Sequence, residues 1–228
     1  MPDRIAAADT EGSLDAIAAL GDVTRRALYD LVVASPTPVG RDEAADAAGI
    51  ARGTAAFHLD RLVASGALDV EYRRLSGRTG PGSGRPAKLY RRAETELSVS
   101  LPPRAYDLAG DLLAAAIERA DRSGEAVRDA LDHVAEEAGR ELGATGKSLE
   151  ATLRAVGYEP RDDGDGGLAL VNCPFHRLAA SHTDVICATN VCLIRGIAAA
   201  TGEHERDVLF APDAKSCCVR IARRDSVE

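Results

Sequence analysis

The sequence predicts an α+β fold in two parts, and three observations predict it. Residues up to about 95 alternate short amphipathic helical runs with one Gly/Pro-rich hairpin. Residues beyond 123 mix helical runs with three short extended ones, and Leu101-Pro102-Pro103 makes a break between the two regions. With 228 residues the chain can bury two modest cores. The expected organisation is a first domain over 13–95, a linking and pairing helix in 96–122, and a cysteine-containing α+β domain over 123–228.

In chain order, Ser13 is placed to cap a helix carrying Leu14, Ile17, Ala18 and Leu20. Residues 24–33 form a second helix with Ala27, Leu28, Leu31 and Val32 on one face, broken by Ser35-Pro-Thr-Pro-Val-Gly40. A short helix over 41–48 leads through Gly49-Ile50 into a helix over about 52–65. There Ile50, Ala55, Leu59, Leu62 and Val63 are spaced to pack inward, leaving Arg52, Thr54, Ala56, His58 and Arg61 to face outward. Residues 67–75 alternate as a strand, the loop 76–86 holds four glycines and two prolines, and residues 88–91 return as the second strand. A helix, a turn, an outward-facing helix and a basic hairpin in this order make a winged helix-turn-helix.

The second part continues with helices over about 104–121, 123–142 and 148–156. The stripe Leu108, Leu112, Ala115, Ala116, Ile117 on the first of these is either a dimer seam or core. An acidic, glycine-rich turn spans 159–167. Then come a strand over 168–171, a loop with Cys173, a helix over about 185–199, and strands over 205–210 and 217–222.

Net charge is −8, which taken alone argues against nucleic acid. The distribution points the other way: residues 1–95 hold 13 basic and 13 acidic groups, and residues 96–228 hold 15 against 23. Seven basic residues and no acid lie between Tyr72 and Ala93. A phosphate backbone responds to the local field more than to the sum. Double-stranded DNA is therefore the expected partner. Thr54 and His58 are placed to reach base edges or sugar. Arg52 and Arg61 suit phosphates, or one of them guanine, and Arg73, Arg74, Arg78, Arg85 and Lys88 line the hairpin. The competing expectation is an interaction module that does not bind DNA.

All five cysteines fall in the last 56 residues, as Cys173, Cys187, Cys192, Cys217 and Cys218. No run is long enough to span a membrane and the N-terminus has no signal-peptide pattern, so a cytoplasmic protein is expected, where clustered cysteines bind metal or react. Thirteen residues separate Cys173 from Cys187 and 29 separate Cys187 from Cys217, so the ligands must converge from distant segments on a soft metal or an iron–sulfur cluster. His176 can return to the centre that Cys173 serves. A Cys3His zinc site built from Cys173, His176, Cys187 and Cys217 suits the residue types too. Redox-active thiols without metal, buried apolar cysteines, and a small organic effector are the other readings of this domain. Cys192, on the apolar run Val191-Cys-Leu-Ile194, reads as core.

Two families are resembled. Leu20-Gly-Asp-Val-Thr-Arg-Arg-Ala-Leu-Tyr29, Arg52-Gly-Thr-Ala-Ala-Phe-His-Leu-Asp-Arg-Leu62 and the run from Leu75 to Arg91 are similar to bacterial winged-helix repressors of the ArsR-like group. The tail, with Asn172-Cys-Pro174, resembles the C-terminal module of SufR-type iron–sulfur regulators. That resemblance implies cluster ligation by Cys173, by Cys187, and by Cys217 or Cys218, and leaves a fourth ligand open, for which His176 is the candidate. Strand alternation favours Cys217 on the face of Val219 and Ile221. Cys192 and the doubled cysteine depart from the family pattern.

Together these imply a homodimeric transcriptional regulator on a two-fold operator. A cluster in the tail domain would set the spacing of its two DNA-reading heads, and zinc is the alternative cofactor. His133 among Glu136, Glu137 and Glu141 reads as a solvated face, and His182-Thr-Asp184 as a neighbour of the cysteines. The sequence holds no nucleophile elbow, phosphate loop or supported pair of catalytic acids, so no enzyme is expected.

Overall fold

The computed structural model of the chain describes residues 10–74, 86–212 and 217–223. It is a mixed α+β protein with two small sheets, dividing into two compact units, one over Ala8–Val99 and one built on Ser100–Glu228.

The first unit runs α1 (Thr10–Ala19), α2 (Val23–Ala34), β1 (Val39–Gly40), α3 (Arg41–Ala48), α4 (Arg52–Ala64), β2 (Leu68–Arg73) and β3 (Ala87–Arg92). Its antiparallel sheet has the order β1-β3-β2, with Val39 opposite Tyr90 and Val70 opposite the same residue on the other side. Asp22 caps α2 by accepting from the Arg25 N–H at 2.9 Å. Gly49 ends α3 at φ 65°, a left-handed turn that glycine adopts without steric cost, and this turns the chain into α4. Leu28, Val32, Leu59, Leu62, Leu68 and Tyr90 form the core between the helices and the sheet. The Tyr90 hydroxyl donates to Asp60 Oδ1 at 2.7 Å and Lys88 Nζ reaches the same oxygen at 2.5 Å, so β3 is tied to α4 at the rim.

The second unit runs α5 (Tyr106–Ser123), α6 (Val127–Thr145), α7 (Leu149–Val156), β4 (Pro160–Asp162), β5 (Leu168–Leu170), α8 (His176–Ser181), α9 (Thr183–Ala200), β6 (Arg206–Phe210) and β7 (Val219–Arg223). Its sheet is antiparallel in the order β4-β5-β7-β6. The core is built on α9, whose Leu193, Ile194 and Ile197 are fully buried. That helix is long and apolar enough to cross a membrane, yet it packs inside this unit against α6. The crossing is close because glycine lines both sides. A Cβ on Gly139 would fall 2.1 Å from the Leu193 carbonyl oxygen, and one on Gly196 2.1 Å from that of Glu136. No larger residue fits between backbones that near.

Several elements differ from the sequence expectation. Helix α1 begins at Thr10, so Ser13 is buried inside it and does not cap it. Strand β1 lies in the expected break, β4 in the expected turn, and α8 in the expected loop after Cys173. These are two to six residues long and are defined by their partners, not by a period of their own. For α5, where the sequence left a dimer seam or core open, Ala109, Leu112 and Ala116 are buried in the second unit's core and Ile117 is exposed.

Candidate functional site

Four of the five thiols come together in the second unit. Cys173 follows β5 and Cys187 lies in the second turn of α9, while Cys217 and Cys218 immediately precede β7. The thiols neighbour one another in the fold: Cys173 lies beside Cys217, Cys217 beside Cys218, and Cys218 beside Cys187. Cys173, Cys187 and Cys217 are buried and Cys218 is half-buried. Cys217, Val219 and Ile221 alternate with the more exposed Cys218 and Arg220, so the Cys217 side chain shares the core face of the last strand.

The backbone around these sulfurs is held by hydrogen bonds. The Cys217 N–H donates to the Leu170 carbonyl at 2.8 Å. Asn172 Nδ2 donates to the carbonyls of Gly157, at 2.6 Å, and Pro103, at 3.0 Å. Arg104 donates to Asn172 Oδ1 at 2.5 Å and to the Cys173 carbonyl at 3.2 Å. Three chain segments are thereby fastened around Cys173.

The sulfurs themselves receive N–H donors. The backbone N–H of Phe175 faces Cys173, that of Val219 faces Cys217, and Asn190 Nδ2 lies 3.2 Å from Cys217 Sγ. A buried cysteine acting as a small apolar side chain needs no such donors, whereas a thiolate does. Three of these thiols, Cys173, Cys187 and Cys217, resist ionisation. Cys173 is held far above the ordinary thiol range, first by its hydrogen bond to Cys217 and then by burial. Cys217 is pushed up to about 11; the bond from Cys173 pulls it down, but the bond to Cys218 and burial outweigh that. Burial raises Cys187, against a lowering bond from Cys218. A soft cation reverses this preference, because ligation deprotonates a thiol outright.

As they stand, no three His, Cys, Asp or Glu among the described residues are arranged to hold an ion, so the four thiols adjoin without converging on one centre. The donor set still fits a soft metal or an iron–sulfur cluster: four sulfurs, N–H donors directed at two of them, and an apolar surround. The sequence candidate His176 is not brought in. It is exposed in the first turn of α8, and only its backbone is tied to Cys173, by N–H donation to that carbonyl at 3.1 Å. Cys192 lies apart, beside Asp132, its thiol pushed up to about 11, chiefly by burial.

In the first unit the candidate cations are spread around α4 and the hairpin. Arg52 is exposed and ion-paired with Asp42, and Arg73 donates to Glu71 at 2.9 Å. Lys88 is engaged by Asp60. Arg61 is exposed and lies over the Phe57 ring at 5.7 Å, Thr54 is exposed, and Arg74 has no partner among the described residues. Arg78 and Arg85 lie outside the described residues. His58, expected to face outward, is turned instead to the start of α2. Its side chain is 15% exposed and Nδ1 is 4.0 Å from Asp22. Phe57, 58% exposed, stands on the outer face of α4 instead, with the His58 ring edge-on to it.

Sequence reasoning passed over Asn190, Tyr158, Arg104 and Phe57. A lone Asn within the apolar run of α9 is a detectable anomaly, and Phe57 breaks the inward pattern of α4. Tyr158 and Arg104 carry no local signal. No protein-family model, curated protein or solved structure matches the chain.

Proposed function

We propose that this chain is a DNA-binding transcriptional regulator with a winged helix-turn-helix in its first unit and a soft-metal thiolate centre, an iron–sulfur cluster, in its second. The observation that carries the reading is the adjoining set Cys173, Cys217, Cys218 and Cys187, drawn from three distant segments into one core, with Asn190 Nδ2 at 3.2 Å from the Cys217 sulfur. Cys218 takes the place of the fourth ligand that His176 was expected to fill. A bound cluster supplies oxygen- and redox-sensitive chemistry. The chain's own part is to bind it on four sulfurs, hold those sulfurs with N–H groups, and keep water out with Phe175, Leu170 and Val219.

For the first unit, support comes from the order α2, α3, α4 and a β2–β3 hairpin, from the exposed face of α4 with Thr54, Phe57 and Arg61, and from Arg52 exposed at the start of that helix. Two copies would read a two-fold operator, whose half-site spacing follows dimer geometry. Exposed ion pairs such as Arg52–Asp42 contribute little to stability and yield readily to a phosphate.

Anaerobic reconstitution with iron and sulfide, followed by a mobility shift on duplexes selected from a random pool, tests both halves. Iron and sulfide in near-equal amounts are expected, with duplex affinity differing between loaded and stripped protein. Replacing Arg61 and Arg74 with alanine should reduce the salt slope by about 2, since each phosphate contact contributes roughly 0.9. An unchanged slope would remove both residues from the interface. A zinc centre is the second reading, favoured by a donor set of four thiols; it predicts metal without sulfide.

A further inference from the structure

Asn190 is the feature of the core least explained by packing. It is 1% exposed near the middle of α9, with Val191, Leu193 and Ile194 buried beside it. A buried amide is costly unless its polar atoms are satisfied, and asparagine favours helix less than leucine does. Its two ends are used differently: Oδ1 meets the hydroxyl of Tyr158, itself 2% exposed, and Nδ2 meets Cys217 Sγ at 3.2 Å. A thiolate only accepts, so a sulfur anion at Cys217 demands that the amide present Nδ2. Oδ1 then faces Tyr158, whose hydroxyl can donate. The arrangement fits one orientation of the amide, and that orientation suits an anion. Asn190 is also three residues past Cys187, so one face of α9 brings a thiol and the donor for another thiol to the same place.

We propose that Asn190, held by Tyr158, is a positioning residue for the thiolate centre: its Nδ2 donates to the Cys217 sulfur, draws charge from it, and so sets how tightly the site holds a soft metal. This rests on the four-thiol reading above. Donors to ligand atoms generally matter at this level, and their loss costs 10- to 100-fold in metal affinity.

The test is a cadmium titration of the full chain, stripped and reduced, following the sulfur-to-metal charge-transfer absorbance. Wild type, Asn190→Leu and Tyr158→Phe are compared, with folding checked by circular dichroism. The expectation for Asn190→Leu is roughly tenfold or more weaker binding at unchanged stoichiometry. Its charge-transfer band should move to lower energy, because a sulfur without its N–H donor gives up charge more easily. Tyr158→Phe should move both quantities the same way by less. A band shift separates this role from a purely structural one. Wild-type affinity and band position in folded Asn190→Leu would overturn the inference while leaving the four-thiol reading intact. If that variant does not fold, unchanged affinity and band position in Tyr158→Phe would overturn it. A wild-type chain with no charge-transfer band would sink the thiolate reading itself, and this proposal with it.

Discussion

Both units carry exposed ion pairs, but they differ in the polar groups they bury. In the first, Arg52 pairs with Asp42, Arg73 with Glu71 and Lys88 with Asp60 at the surface, and the buried Tyr90 reaches Asp60 with its hydroxyl. In the second, Asn172, Asn190, Tyr158 and the thiols are enclosed by Leu, Ile, Val and Phe. Glycine shows the same contrast. Gly139, Gly143 and Gly196 let α6 and α9 touch backbone to backbone, while a Cβ on Gly53 in α4 would meet nothing within 4 Å. Groups in water are exchanged cheaply for a new partner such as phosphate, whereas groups in a core are fixed and costly to disturb. On the function proposed above, the first unit meets a macromolecule at its surface and the second holds a small inorganic group in its core.

The comparison is broken most severely at the helix crossing. Gly196→Ala puts a methyl 2.1 Å from the Glu136 carbonyl, and should destabilise the second unit by about 3 kcal/mol or more. Thermal unfolding by circular dichroism reads this, and an unchanged melting temperature would contradict so close a crossing. Next comes the rim of the first unit. Burial pushes Asp60 up, but the bonds from Lys88 and Tyr90 and the Lys88 charge outweigh it, and its carboxyl titrates below the ordinary carboxylate value. A group depressed on folding contributes stability fully present above its unfolded pKa and lost as pH falls through the folded one. Asp60→Asn should therefore cost about 1 kcal/mol at neutral pH, a modest figure because the site is half in water, and should flatten the acid limb below about pH 4. Denaturant titrations at pH 7 and pH 3 with equal losses would refute the linkage. The smallest effect is expected from Gly53→Ala, a stabilisation of roughly 0.5–1 kcal/mol because alanine favours helix and the position is open. The same substitution should weaken duplex binding if α4 lies against DNA; gain in stability with unchanged affinity would take Gly53 out of the contact face.

How much of this was legible in the sequence depends on the range of the signal. Helices α2, α4, α6 and α9 have apolar spacing that marks them directly, and the β2–β3 pair is marked by alternation around a Gly/Pro loop. The two-residue β1 is not, because pairing with β3 alone defines it. At the thiol site, the identity of the cysteines was visible as residue type and clustering. The resemblance named Cys173, Cys187 and one of Cys217 and Cys218; that both of the last pair adjoin the others was not legible, because 29 residues separate Cys187 from Cys217 and the packing of α9 against β7 closes that gap. His176 was attractive by its nearness in sequence to Cys173, but α8 begins at His176 and leaves its side chain exposed. His58 was assigned outward by helical spacing, but its side chain lies turned toward the start of α2, with Nδ1 4.0 Å from Asp22.

The central claim, that four remote sulfurs serve one ion or cluster, is tested most directly by alkylating metal-loaded and stripped protein under identical mild denaturant and locating the modified cysteines by mass spectrometry. Protection gained together at Cys173, Cys187, Cys217 and Cys218, with Cys192 reacting equally in both forms, is the predicted result. Protection confined to one or two of the four, or gained at Cys192 instead, would contradict it.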